Sequence, residues 1–184
     1  MPLFRSRCQR LEDSMVKTFT VLFFLVTCSV SAQPSNTKTE FFIINGKVKT
    51  PQTITLSDLK KFKVFNLGDI TITNHLGEVK SIAKNLSGVL LKEILQSVPL
   101  DSDNPKQFSE YYFICRGSDG YKVVYSWNEL FNTAIGNSAY IITEKNHQPI
   151  HELDESMLMI STQDVRTGRR YVKNLETIYV GRAD

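Results

Sequence analysis

Three arginines carry the best-defined chemistry in this sequence. Arg116 stands just before a Ser-Asp-Gly turn, and Arg169 and Arg170 just before an aromatic-Val pair. A guanidinium presents a planar fork of donors that fits phosphate, sulfate or carboxylate, so these three are the candidate anion-binding residues. The competing reading of each is a solvated strand end. Two other groups invite a catalytic or metal-binding reading and fail on chemistry. Cys115 lies in an apolar strand pattern, where it reads as a small core residue, and its neighbour Arg116 points to the opposite face. His147 and His151 are four apart among Glu144, Glu152, Asp154 and Glu155. Pro149 between them works against the helix that would bring both imidazoles to one side, so a solvated acidic loop is the better reading. There is no Gly-x-Ser-x-Gly elbow and no glycine-rich phosphate loop, which leaves hydrolase and nucleotide-binding readings without support. No catalytic residue and no metal-ligand set is expected.

The elements that must position these residues centre on 111–130, YYFICRGSDGYKVVYSWNEL. Residues 111–115 are apolar on both alternating faces, which predicts a central strand covered on both sides. Asp119-Gly120 predicts a two-residue hairpin turn with 121–125 returning antiparallel. Ser126 with Glu129 three residues on forms a capping box, opening a short helix through Leu130 and Phe131. Tyr125 and Trp127 read as core, or as the apolar wall of a cleft. Upstream, 41–44 is a strand, Asn45-Gly46 a hairpin signal with 47–49 as its return, and Ser57 caps a helix over 58–62. Residues 69–73 and 79–83 form a hairpin around Leu76-Gly77-Glu78, and 89–98 carries an apolar helical stripe closed by Pro99. Residues 145–147 are a turn, and 139–143, 157–161 and 177–180 are further strands. The pattern is α+β, mostly antiparallel sheet with short helices packed against it.

The order of these motifs resembles the oxidoreductase molybdopterin-binding domain, the sulfite oxidase fold. The resemblance rests on the 43–59 run IINGKVKTPQTITLSDL, on Gly88-Val89-Leu90-Leu91 with Leu95, on Ser-Asp-Gly-Tyr followed by Trp-x-Glu-Leu, and on Arg170-Tyr171-Val172 before Ile178-Tyr179-Val180. In active members of that family, molybdenum is held by a pterin dithiolene and by one Cys thiolate upstream of the Gly-Val-x-Leu helix. The corresponding segment here, 70–87, contains no cysteine, and its nearest ligand-capable side chains are His75 and Glu78. The resemblance therefore implies the fold and a possible anionic pterin-phosphate site at the arginines, but no cofactor is expected from the residues themselves. Two functions follow: a non-catalytic ligand- or partner-binding module, or a molybdenum-cofactor oxidoreductase with an unconventional metal ligand.

The chain has 184 residues and a net charge of +3. Residues 15–32 combine Lys17, a short apolar run and Val30-Ser31-Ala32, which predicts a signal peptide spanning 1–32, with Met15 an alternative start. Residues 33–40 are a polar lead-in, and 41–184 a single domain. Removing Arg5, Arg7, Arg10 and Lys17 together with Glu12 and Asp13 lowers the charge from +3 to +1. A near-neutral domain without a basic stripe gives nucleic-acid binding no electrostatic basis. The expected location is periplasmic or extracellular, with lipidation at Cys28 the alternative, and no transmembrane segment in the mature form. The leader lacks an Arg-Arg pair, so it suits export of an unfolded chain, which would arrive without a cofactor inserted in the cytoplasm. A small anion or an envelope protein is the expected partner.

Overall fold

The computed structural model describes residues 37–183. The predicted signal peptide, Met15, Cys28 and the first half of the lead-in lie outside the described residues.

Two five-stranded sheets make up the fold. The first has strand order β2-β1-β10-β5-β6, from β1 (Phe41–Gly46), β2 (Gln52–Thr55), β5 (Tyr111–Gly117), β6 (Lys122–Ser126) and β10 (Leu175–Arg182). The second runs β3-β4-β7-β8 with β9 also on β7, from β3 (Val64–Thr73), β4 (Val79–Leu90), β7 (Ala139–Lys145), β8 (Gln148–Pro149) and β9 (Met159–Ser161). Only β1 with β10 pairs in parallel among these strands. The helices are short: α1 (Leu56–Leu59), α2 (Leu91–Gln96) and α3 (Trp127–Phe131).

The middle layer is the second sheet. Along β7, Ala139 and Ile141 enter a cluster shared with the inner face of the first sheet and with Leu91, Ile94 and Leu95 of α2. Tyr140 and Ile142 enter a second cluster with Leu86, Ile150, Leu158 and Ile160. Strand β7, with the short β9 paired to it, is thus buried on both faces; β5, whose sequence predicts that role, is not. In β5, Tyr111, Phe113 and Cys115 face the core, whereas Tyr112 and Ile114 are half-buried and Arg116 is exposed. A continuous apolar run fits either role, and only the stacking order decides between them.

Local corrections have local causes. The β1 hairpin returns in β2, with Ile44 opposite Gln52, rather than over 47–49. Gly46 has φ +94, and a Cβ there would lie 2.2 Å from the Val180 carbonyl oxygen. Lys47 N–H donates to that same oxygen at 2.8 Å, so the chain after Gly46 is held by β10 before it turns back. The cap of α1 is Thr55 rather than Ser57: its hydroxyl accepts from Asp58 N–H, and the Asp58 carboxylate accepts from Thr55 N–H. Residues 89–90 stay in β4 because they pair with Ile141 and Tyr140 of β7, and α2 begins only at Leu91. The β5–β6 loop has three residues, not two. Gly120 N–H donates to Gly117 O, Gly117 N–H to Tyr121 O, and Gly120 alone takes positive φ (+82), a type I turn followed by a left-handed glycine. The capping box at Ser126 and Glu129 forms as expected, at 3.1 and 2.7 Å.

Candidate functional site: a cationic cleft beside the β3–β4 hairpin

The cleft is assembled from two segments distant in sequence. At the tip of the β3–β4 hairpin, Asn74 Oδ1 accepts from Leu76 and Glu78 N–H at 2.9 and 3.0 Å, and Gly77 turns with φ +93. This Asx-stabilised turn places His75 before the tip and Lys80 after it. The second segment is the loop leading to the 3-10 turn Thr167–Arg170. Thr167 is buried; its hydroxyl donates to Thr71 O at 2.7 Å and accepts from Thr73 N–H at 3.0 Å. The side chain therefore satisfies backbone groups on the free edge of β3. Gly168 follows where a Cβ would come within 2.2 Å of Thr73 O, so only glycine permits this approach. Arg169 is then fixed from the other side by Tyr121, whose hydroxyl donates to its carbonyl at 2.8 Å.

The resulting cleft has a volume of about 600 Å³ and is lined by Ile72, His75, Lys80, Tyr121, Arg169 and Tyr171, among others. Its charge is lopsided. Arg169 is exposed, and its guanidinium meets no carboxylate among the described residues; Lys80 reaches only Glu78, at 3.4 Å. The Arg166 guanidinium adds a further cation packed against Gly77.

Behind the Tyr171 wall the charges are paired. Tyr171 OH donates to Glu155 Oε2 at 2.8 Å, Lys173 meets Glu155 Oε1 at 2.6 Å, and Lys145 bonds both Glu155 and Tyr171. Burial alone would raise the Glu155 carboxyl, but these donors bring it down to about 2. Tyr171 is pushed up by burial and by the carboxylate that its hydroxyl faces.

The structure separates the three arginines. Arg116 sits on the outer face of the first sheet, bonded to Glu176 at 2.8 Å. Arg170 turns inward between Asp164 (2.8 Å) and Glu129 (3.4 Å), over the Tyr125 ring at 4.5 Å. Only Arg169 reaches the cleft. Lys80, Tyr121 and Tyr171 were not assigned to a site from the sequence; the hairpin alone could have linked Lys80 to His75. Cys115 is fully buried, and burial pushes its thiol up to about 12, opposed only in part by the Arg170 charge. Tyr125 is also fully buried, while Trp127 is half-buried. His147 lies in a tight β7–β8 turn, and His151 and Glu144 line a separate pocket of about 530 Å³. No three of His, Cys, Asp and Glu approach closely enough to hold a metal ion among the described residues. No described helix is long and apolar enough to cross a membrane.

The fold is similar to that of the sulfane dehydrogenase SoxCD from Paracoccus pantotrophus, with a TM-score of 0.51 and 12% identity over 76% of this chain. The match spans 37% of the SoxCD chain. At this identity the likeness is one of fold alone, an α+β arrangement of mostly antiparallel sheet with short helices. No protein-family model and no curated protein matches the sequence.

The residues do not fit a molybdenum held by a protein thiolate. The hairpin side of the cleft offers an imidazole, an amide and an ammonium, and the one cysteine among the described residues is sealed in the core. The same donor set does suit an anion without a metal.

Proposed function

We propose that this chain is an exported, non-catalytic binding module of the cell envelope whose cleft holds a small phosphate- or carboxylate-bearing anion between Arg169, Lys80 and His75. The observation that carries the reading is the Arg169 guanidinium: its backbone is fixed by Tyr121, it faces an open cleft, and it meets no carboxylate among the described residues. A guanidinium that faces the cleft without a carboxylate partner can bind an anion without first giving up an internal ion pair. Export and the absence of catalysis rest on the sequence: the leader pattern, and a 70–87 segment without cysteine. The alternative ligand for the same cations is an acidic segment of an envelope partner protein.

Calorimetric titration of the mature protein with inorganic phosphate and with citrate tests the reading. Saturable binding is expected, weakened about tenfold by Arg169→Ala and again by Lys80→Ala, as for loss of one charged hydrogen bond each. Arg116→Ala, on the outer face of the first sheet, serves as the unaffected control. Absence of binding, or equal sensitivity to Arg116→Ala, would remove the anion site. The fold likeness to a sulfane dehydrogenase, with the sequence resemblance to the molybdopterin-binding domain, keeps one rival, a molybdenum-cofactor oxidoreductase with an unconventional metal ligand. Stoichiometric molybdenum and an extractable pterin in protein purified from the envelope would establish that rival instead.

A further inference from the structure

A second concave site lies where α2, α3 and the 3-10 turn Pro105–Glu110 meet. Four aromatic rings surround it. Phe108 and Trp127 have centroids 5.6 Å apart, Trp127 and Phe131 5.2 Å, and Phe131 and Phe113 6.2 Å. Leu95, Val98, Pro99 and Leu100 complete the apolar wall, and the polar groups among the lining side chains are the Gln96 amide and the Trp127 indole N–H. The volume is about 250 Å³, and the groove shares no lining residue with the cationic cleft.

Size and chemistry together restrict the occupant. A dry apolar cavity of roughly 150 Å³ is known to take a single benzene ring, so this groove has room for a fused two-ring system and little more. An amphipathic helix inserts anchors at i, i+3 and i+4 and needs a longer trough. A charged ligand is disfavoured, because no lining side chain carries a charge to replace its water. Tilted and edge-on rings offer an aromatic guest both faces and edges, and the Gln96 amide offers one hydrogen-bonding partner.

We propose that this groove is a binding site for a small neutral bicyclic aromatic molecule of indole size, gripped by Phe108, Trp127 and Phe131 and oriented by Gln96. The site is independent of the anion cleft, so neither stands or falls with the other.

The chain contains one tryptophan, so Trp127 contributes a single indole N–H resonance that reports on the groove. Titration of the mature protein with indole should shift that resonance saturably in the low-millimolar range or tighter. Indole-3-acetate should bind at least tenfold more weakly than indole, because its carboxylate would be stripped of water without a cation. Leu100→Tyr and Gln96→Tyr each project a ring into the groove from its rim, one from a loop and one from an exposed helix position. Either should abolish the shift while circular dichroism stays unchanged, and the exposed Gln96 variant keeps the test open should Leu100→Tyr fail to fold. Phosphate binding at Arg169 should be the same in these variants as in the parent chain. No saturable shift with indole, retention of binding in Gln96→Tyr, or indole-3-acetate binding as tightly as indole would each overturn the proposal.

Discussion

Arg169 and Arg170 are adjacent in sequence and belong to different regions. Arg169 projects into the cleft, without a carboxylate partner among the described residues, while Arg170 lies inward between Asp164, Glu129 and the Tyr125 ring. The inward region holds its charges in fixed, mutually neutralising positions: Ser161 supports Asp164 at 2.9 Å, and Glu129 also serves as the capping carboxylate of α3. Burial lowers the Arg170 pKa, but Tyr125 and Asp164 more than offset it, so the guanidinium stays charged. Identity and neighbourhood in the sequence therefore say little about an arginine's task. What separates a ligand-binding cation from a structural one is whether the fold has already supplied its counter-charge.

The largest effect should come from breaking the inward set. Arg170→Met leaves Asp164 only 14% exposed and without its partner, and should cost about 3 kcal/mol, read as a lower urea midpoint at unchanged slope. Arg169→Ala should shift the same midpoint by less than about 0.5 kcal/mol, as expected of an exposed side chain, while weakening anion binding. Equal destabilisation by the two would dissolve the contrast.

A smaller loss is expected from Glu155→Gln. The Glu155 carboxyl lies at about 2 in the folded state, below its ordinary 4.5, so its stabilisation is present above pH 4.5 and is lost as pH falls through about 2. With Lys173 45% exposed and partly screened, the contribution is on the order of 2 kcal/mol. In the Glu155→Gln variant the midpoint should start lower at pH 7 and decline less between pH 4.5 and 2. An unaltered acid limb would show that Glu155 is not held by its lysines in solution.

Cys115→Ala comes last. Removal of one buried sulfur should cost about 1 kcal/mol, with anion binding unchanged. The native thiol should resist alkylation until the protein is unfolded, since it is buried and pushed up to about 12. Rapid labelling of the folded protein would place Cys115 with the accessible region rather than the core.

Short-range chemistry was legible in the sequence. The Ser126–Glu129 capping box and the hairpin around Gly77 follow from contacts within a few residues, where the chain has little choice. The segments that became β1, β3, β7 and β10 carry their apolar pattern locally, although β1 pairs with β10 and β7 with β4 across long stretches of chain. The same logic slipped by a residue or two where two local signals competed, as at Thr55 against Ser57, or where distant pairing overrode helical periodicity, as at Val89 and Leu90. The site was half legible. His75 and Lys80 flank one predicted turn, but Arg169 joins them only because Thr167 grips β3 at Thr73, 94 residues away in the chain.

The sequence alone also marked two apolar runs as strands, and its pattern pointed to the wrong one, 111–115, as the strand buried twice. Residues 111–115 and 139–142 are comparably apolar, yet β7 lies in the middle layer between two cores while β5 keeps one face partly open. Alternation records how many faces a strand can bury, a property of its own side chains. How many faces are in fact covered depends on which sheet stacks on which, and that is decided by the sum of long-range contacts. The fates of Arg116, Arg169 and Arg170 were decided the same way, because a carboxylate becomes a partner only when the tertiary fold brings it within hydrogen-bonding distance.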